Sequence, residues 1–132
     1  MTEGSAARRI AILSQALARL EQALSVPEDA IVRDACIQRF EFTFEMAWKA
    51  IQAHARVQGS PCVSPRDCLR TAFRLGLVED DSGWMAMVED RNRTTHTYDE
   101  ASAHAIYVAL SGHARLLTTL LSRLREAASR VD

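Results

Sequence analysis

The sequence predicts an all-α protein, an antiparallel up-and-down helical bundle of four main helices with a short extra one. Three observations lead there. Apolar residues recur at three- and four-residue spacing through most of the chain, the period of a helix with one buried side. Alanine is abundant and aromatic residues make up only 6% of the chain, a mixture that suits close-packed helices better than a sheet. The periodic stretches are separated by proline- and glycine-centred breaks at Pro27, Gly59-Ser60-Pro61 and Gly76.

Each element follows from its own pattern. The first helix is expected from about Ala6 to Ser25, with Ile10, Leu13, Leu17, Leu20 and Leu24 as its apolar stripe. Pro27 stops it or starts its successor, where a missing amide hydrogen costs nothing. The second helix is long, from about Glu28 to Gln58, and Ile37, Phe40, Phe44, Trp48 and Ile51 form its main stripe. A second apolar set (Ala35, Phe42, Met46, Ala53) falls on roughly the opposite side at about 100° per residue. A helix apolar on two faces wants two partners, here its own bundle and a second copy of the chain. Ser64-Pro65-Arg66-Asp67 reads as a helix start, with Ser at the N-cap, Pro at the first helical position and an acid in the first turn. That short helix ends at Gly76, a left-handed C-cap. A fourth begins near Asp80-Asp81-Ser82 and carries Trp84, Met87 and Val88 towards Arg91. Asp99-Glu100 opens the last helix, whose stripe is Ile106, Leu110, Leu117, Leu120 and Leu124.

Composition narrows the function classes. The 132 residues fit one domain, 1–132, and 48% are apolar, enough for a core. Net charge is −1, which excludes a protein that coats nucleic acid by bulk electrostatics but leaves room for a local basic patch. Fifteen of the 16 basic residues are Arg and one, Lys49, is Lys. Arg offers a planar fork suited to phosphate and carboxylate, but a GC-rich genome, with Ala also abundant, is the simpler account of the bias. Cys36, Cys62 and Cys68 are odd in number and lack paired CxxC spacing, so reduced thiols are expected rather than a disulfide framework or a zinc site. The N-terminus lacks a basic region followed by an apolar run, and no stretch approaches the roughly 20 apolar residues that span a bilayer. A cytoplasmic protein is expected, with no membrane partner.

The segment that carries chemistry is Arg91-Asn92-Arg93-Thr94-Thr95-His96-Thr97-Tyr98. An Arg followed five positions later by His is not distinctive by itself in a chain with fifteen Arg and four His. Its setting is. Six consecutive polar residues lie between two apolar-periodic helices, and threonines at 94, 95 and 97 weaken helix there. The helix is expected to fray or kink, exposing Arg91 and His96 at a bundle end or groove, with Tyr98 adding a hydroxyl.

At these residues the sequence resembles the HEPN superfamily, whose shared motif is Arg, four to six residues, then His, here Arg91-x4-His96. It looks most like the branch of nucleotidyltransferase substrate-binding proteins. That branch includes the toxin of a minimal-nucleotidyltransferase/HEPN toxin–antitoxin pair, with the motif Arg-x4-His-x-Tyr matched by Arg91, His96 and Tyr98. The resemblance also covers Ile37–Glu45, Ser64–Asp67, Glu89–Asn92 and His96–Glu100. It implies a homodimeric bundle in which two motifs line a shared cleft, and a metal-independent endoribonuclease (a hydrolase of RNA) with no cofactor and no bound metal. In that role His96 would act as general acid or base on the ribose 2′-hydroxyl, since histidine exchanges protons near neutral pH. Arg91 would clamp the phosphate and its developing charge, and Asn92 would orient either group. The resemblance further implies a cognate minimal nucleotidyltransferase as antitoxin, AMPylating Tyr98. Bulky anionic phosphate beside Arg91 would then exclude RNA. The alternative it leaves open is a non-catalytic subunit that docks a separately encoded nucleotidyltransferase and presents its substrate.

Other assignments compete with each of these. Arg91 can serve as a structural ion pair with Glu89, Asp90 or Glu100, or with Glu41 or Glu45 across the bundle, and His96 can be a cap. His54, His104 and His113 read as surface or core histidines, and Trp48 and Trp84 as core. Arg66, Arg70 and Arg74 share one helix face, suited to solvent, RNA or an acidic partner surface.

Overall fold

The computed structural model describes residues 2–79, 82–96 and 99–130, all helices and connecting turns. Helix α1 spans Thr2–Leu24, α2 Ala30–Val57, α3 Pro65–Arg74, α4 Ser82–Arg93 and α5 Glu100–Arg130. A single 3₁₀ turn, Thr94–His96, follows α4 directly. The expected boundaries lie within a few residues of these, and the Asp80-Asp81 pair expected to open α4 lies outside the described residues.

Local chemistry sets the ends. Asp29 caps α2, its carboxylate accepting from the Val32 amide at 2.7 Å. Ser64 caps α3 by accepting from the Asp67 amide at 3.2 Å, with Pro65 at the first helical position. Gly59 and Gly76 take φ of +76° and +77°, the left-handed conformation that closes α2 and α3. Beyond Gly76, the Leu77 amide turns back to the Ala72 carbonyl at 2.8 Å.

Successive main helices run antiparallel. Thr43 on α2 donates to the Ala16 carbonyl of α1 at 3.2 Å, and Arg39 to that of Arg19 at 2.7 Å, so rising numbers on one helix meet falling numbers on the other. Trp84 of α4 lines one cavity with Leu120 of α5, and Asp90 bonds His113, in the same reversed order. The core is the predicted set of stripes: Leu13, Leu17 and Leu20; Phe40, Phe44 and Ile51; Met87 and Val88; Ile106, Leu110, Leu117, Leu120 and Leu124 are all buried. Each such side chain contributes roughly 1.5–3 kcal/mol on burial. Trp84 belongs to this core, whereas Trp48 is half-buried at its edge. Of the second apolar set on α2, Ala53 faces the bundle, Ala35 and Met46 are half-buried, and Phe42 stands 53% exposed. No helix among the described residues is long and apolar enough to cross a membrane.

The cysteines depart from expectation. Cys62 and Cys68 form a disulfide, with their Cα atoms 5.1 Å apart, and Cys36 is the free, buried thiol. The reason is local: Cys62 lies in the loop before the Ser64 cap and Cys68 at the end of the first turn of α3. The helix start therefore folds the two together within bonding range. A spacing of six carries no disulfide signature in sequence.

Candidate functional site

The site is built where α4 gives way to the 3₁₀ turn. Arg91 sits in the last turn of α4, and the Thr94 hydroxyl donates to its carbonyl at 2.7 Å. That bond satisfies a carbonyl which the ending helix leaves without an amide, and it tightens the chain into the turn carrying Thr95 and His96. The predicted interruption of the helix is therefore present.

Arg91 and His96 then point to different surroundings. Arg91 reaches back to α2, where its Nη2 donates to Glu45 Oε1 at 3.2 Å. The other oxygen of Glu45 accepts from Trp48 Nε1 at 2.7 Å, so the carboxylate is held from both sides. Of the carboxylates considered from sequence, Glu45 is the partner. Its pairing leaves the Arg91 side chain 37% exposed, with part of the guanidinium open to a ligand. His96 is exposed and has no side-chain partner among the described residues. It lines a shallow pocket of about 290 Å³ with Arg93 and with Ser102 and Ile106 from the start of α5. Asn92 is exposed on α4. The structure thus brings Arg93, rather than Arg91, into one pocket with His96 within a single chain. Tyr98 lies outside the described residues.

Behind this surface lies a polar group that the local reading missed. Asp90 is buried, and its Oδ2 meets His113 Nε2 of α5 at 2.7 Å. Its Oδ1 accepts from Arg93 Nη2 at 2.5 Å. The His113 ring stacks on Phe40 of α2, centroids 5.4 Å apart at 25°. Three helices therefore converge on Asp90, which fixes both the end of α4 and the Arg93 guanidinium beside His96. Buried polar groups must be satisfied in this way or destabilise the fold. The signal was present in sequence: Asp90 and His113 each interrupt an apolar stripe at core spacing, three residues after Met87 and after Leu110.

The remaining singled-out groups lie away from the Arg91–His96 turn. His54 is buried, and burial pushes its imidazole below the usual range. His104 is exposed and meets Glu28 Oε2 at 3.3 Å. Burial pushes the Cys36 thiol up. Arg66, Arg70 and Arg74 are exposed along α3. Among the described residues, no three or more His, Cys, Asp or Glu gather as a metal site.

Residues 8–126 match the family model described as nucleotidyltransferase substrate binding protein like. The chain belongs to the nucleotidyltransferase substrate-binding branch of the HEPN family. Other comparisons agree with that membership. The chain is 33% identical over 107 residues to a Haemophilus influenzae protein named probable ribonuclease HepT, spanning 77% of this chain and 73% of the relative. Its fold matches a Thermus thermophilus crystal structure with a TM-score of 0.80 at 42% identity, covering 86% of this chain and 98% of the other. A Haemophilus influenzae structure, described as the fold of a substrate binding domain of a nucleotidyltransferase, matches with a TM-score of 0.73. That pair is 28% identical, over 88% of this chain and 98% of the other. In this HEPN-family chain, the Arg91–His96 motif thus stands at the end of a helix locked to its neighbours, on a turn that leaves the histidine open.

Proposed function

We propose that this chain is a toxin-type, metal-independent endoribonuclease in which Arg91 and His96 act on RNA, with Asn92 and Tyr98 in support. The observation that carries the reading is His96: an exposed imidazole, unpaired among the described residues, on a turn whose neighbouring arginines are oriented by buried or half-buried carboxylates. Cleavage of an RNA strand by its own 2′-hydroxyl needs a proton taken from that hydroxyl, a proton given to the departing 5′-oxygen, and positive charge on the phosphate. An open histidine and a half-open arginine are the residue types for those tasks. Arg93, already in the pocket with His96, is a further phosphate contact. The probable-ribonuclease name of the Haemophilus relative supports the same reading.

A homodimer completes it. Arg91 and His96 face different surroundings within one chain, and a second copy across a two-fold axis would let the two motifs complement each other. The outward apolar residues of α2, Phe42 at 53% and Ile31 at 80% exposure, are suited to cover by such a copy. A cognate minimal nucleotidyltransferase is the proposed antitoxin, acting on Tyr98 in the cytoplasm.

The family description favours a second reading, a non-catalytic subunit that presents substrate to a separate nucleotidyltransferase. Growth after induced expression separates the two. Wild type should arrest growth, Arg91→Ala and His96→Ala should not, and co-expressed nucleotidyltransferase should relieve the arrest. Normal growth in every arm, with both variants folded, would leave the substrate-binding reading standing.

A further inference from the structure

Outside the motif, the most distinctive surface is a cleft of about 400 Å³ between α3 and α4. Arg66, Leu69, Arg70, Phe73 and Arg74 follow one another at helical spacing, so one face of α3 supplies three guanidiniums with an aromatic ring among them. Phe73 is 50% exposed, and Met85 faces it from α4 at 48% exposure. Among the described residues no carboxylate pairs with any of the three arginines, and Arg74 bonds only Thr71 of its own helix. Glu79, the acid in the cleft, is taken by Arg123 at 3.1 Å. In a chain of net charge −1, this is a concentrated basic strip.

From this we infer that the α3–α4 cleft is a binding track for single-stranded RNA leading to the motif. The inference rests on the reading that RNA is the substrate. Arginines one helical turn apart stand about 6 Å from each other along the axis, a spacing commensurate with successive phosphates of an extended strand. Exposed apolar and aromatic side chains between them provide a face on which unpaired bases stack. The strip is also aimed at the motif. Met85 and Asn92 are both exposed and lie seven residues apart, two turns along the same side of α4, so a strand leaving the cleft over Met85 runs towards Asn92. An acidic protein segment would satisfy the charge but has no need of a regular guanidinium ladder with an open ring within it.

The test is binding of a fluorescently labelled single-stranded oligoribonucleotide, measured by anisotropy across a salt series, in a His96→Ala background so that the probe survives. Replacing Arg66, Arg70 and Arg74 together by Ala should weaken binding at least 10-fold and make the log–log salt dependence shallower by about 2, at roughly 0.7 for each phosphate no longer neutralised. The triple Arg→Lys variant should keep the salt slope. Phe73→Ala should weaken binding roughly 5- to 100-fold with the slope unchanged. Alanine at the exposed Arg8 and Arg115 should change affinity by less than about twofold. A duplex of the same sequence should bind more weakly than the single strand.

Equal affinity and slope for the triple-alanine variant and its parent, with circular dichroism showing both folded, would overturn the track. So would retained RNA binding alongside lost capture of the nucleotidyltransferase, which would assign the cleft to that protein. Failure of the ribonuclease reading looks different: cleavage would persist in His96→Ala, or never occur, while cleft-dependent binding remained.

Discussion

The two ends of the Arg91–His96 segment lie five residues apart and are built in opposite ways. Arg91 and its neighbour Arg93 are tied into the bundle, one through Glu45 and Trp48 of α2, the other through Asp90 and the His113–Phe40 stack. His96 sits on a 3₁₀ turn, exposed, and held by no side-chain bond within the described residues. The difference matches what the proposed RNA cleavage would demand. A group that stabilises charge works best when its position is set beforehand. A group that gives and takes a proton must stay accessible and free to alternate between states.

Removing Asp90 should break the comparison most severely. Asp90→Ala strips the shared acceptor from His113 and Arg93, and breaking a buried pair costs about 3 kcal/mol or more. A fall of roughly 10 °C in Tm is expected for a domain of this size. An unchanged Tm would mean that the end of α4 is held by apolar packing alone. Glu45→Gln sharpens the contrast more gently. Its pair with Arg91 is partly exposed, so about 1 kcal/mol of stability is at stake, while the proposed RNA cleavage should drop about 10-fold as the guanidinium loses its carboxylate partner. His96→Ala is the opposite case: Tm within about 1 °C of wild type, as for other exposed positions, and cleavage lost. If Glu45→Gln and His96→Ala both altered only stability, the division of labour drawn here would fail.

The smallest effect is pH-dependent and lies outside the segment altogether. Burial lowers the folded-state pKa of His54, so as pH falls through about 6.5 the unfolded chain takes up a proton that the folded chain refuses. Stability contributed by the neutral ring should therefore be complete above about pH 6.5 and decline below it. Glu28, whose carboxyl is lowered first by its hydrogen bond from Arg33, adds a further loss only below its ordinary value of 4.5. Urea denaturation at pH 7.5 and 5.5 should show the first slope in wild type and a flatter one in His54→Leu. Equal slopes would place the titration elsewhere.

How much of this was legible in the sequence depends on range. Apolar spacing located α1, α2, α4 and α5, and Ser64-Pro65 and Gly76 alone marked α3, because caps and stripes are encoded within a turn or two. The interruption at Thr94–His96 was legible for the same reason. The partners of the motif were not. Glu45 lies 46 residues from Arg91, and His113 lies 23 from Asp90. No local pattern states which carboxylate a folded bundle delivers to which arginine. The Cys62–Cys68 pairing was illegible for another reason: a spacing of six carries no disulfide signature, and the two Cα atoms come within 5.1 Å through the fold of the helix start.

The convergence of three helices on Asp90 also bears on how genetics would describe this protein. If the proposed toxicity holds, a selection for survivors would recover substitutions at Phe40, Asp90 and His113 together with those at Arg91 and His96, and their phenotypes would be alike. Double mutants within the first group should be no worse than single ones, since any one change dissolves the same junction. Such epistasis, set beside protein abundance in each survivor, would separate the scaffold that holds the end of α4 from the side chains proposed to meet RNA.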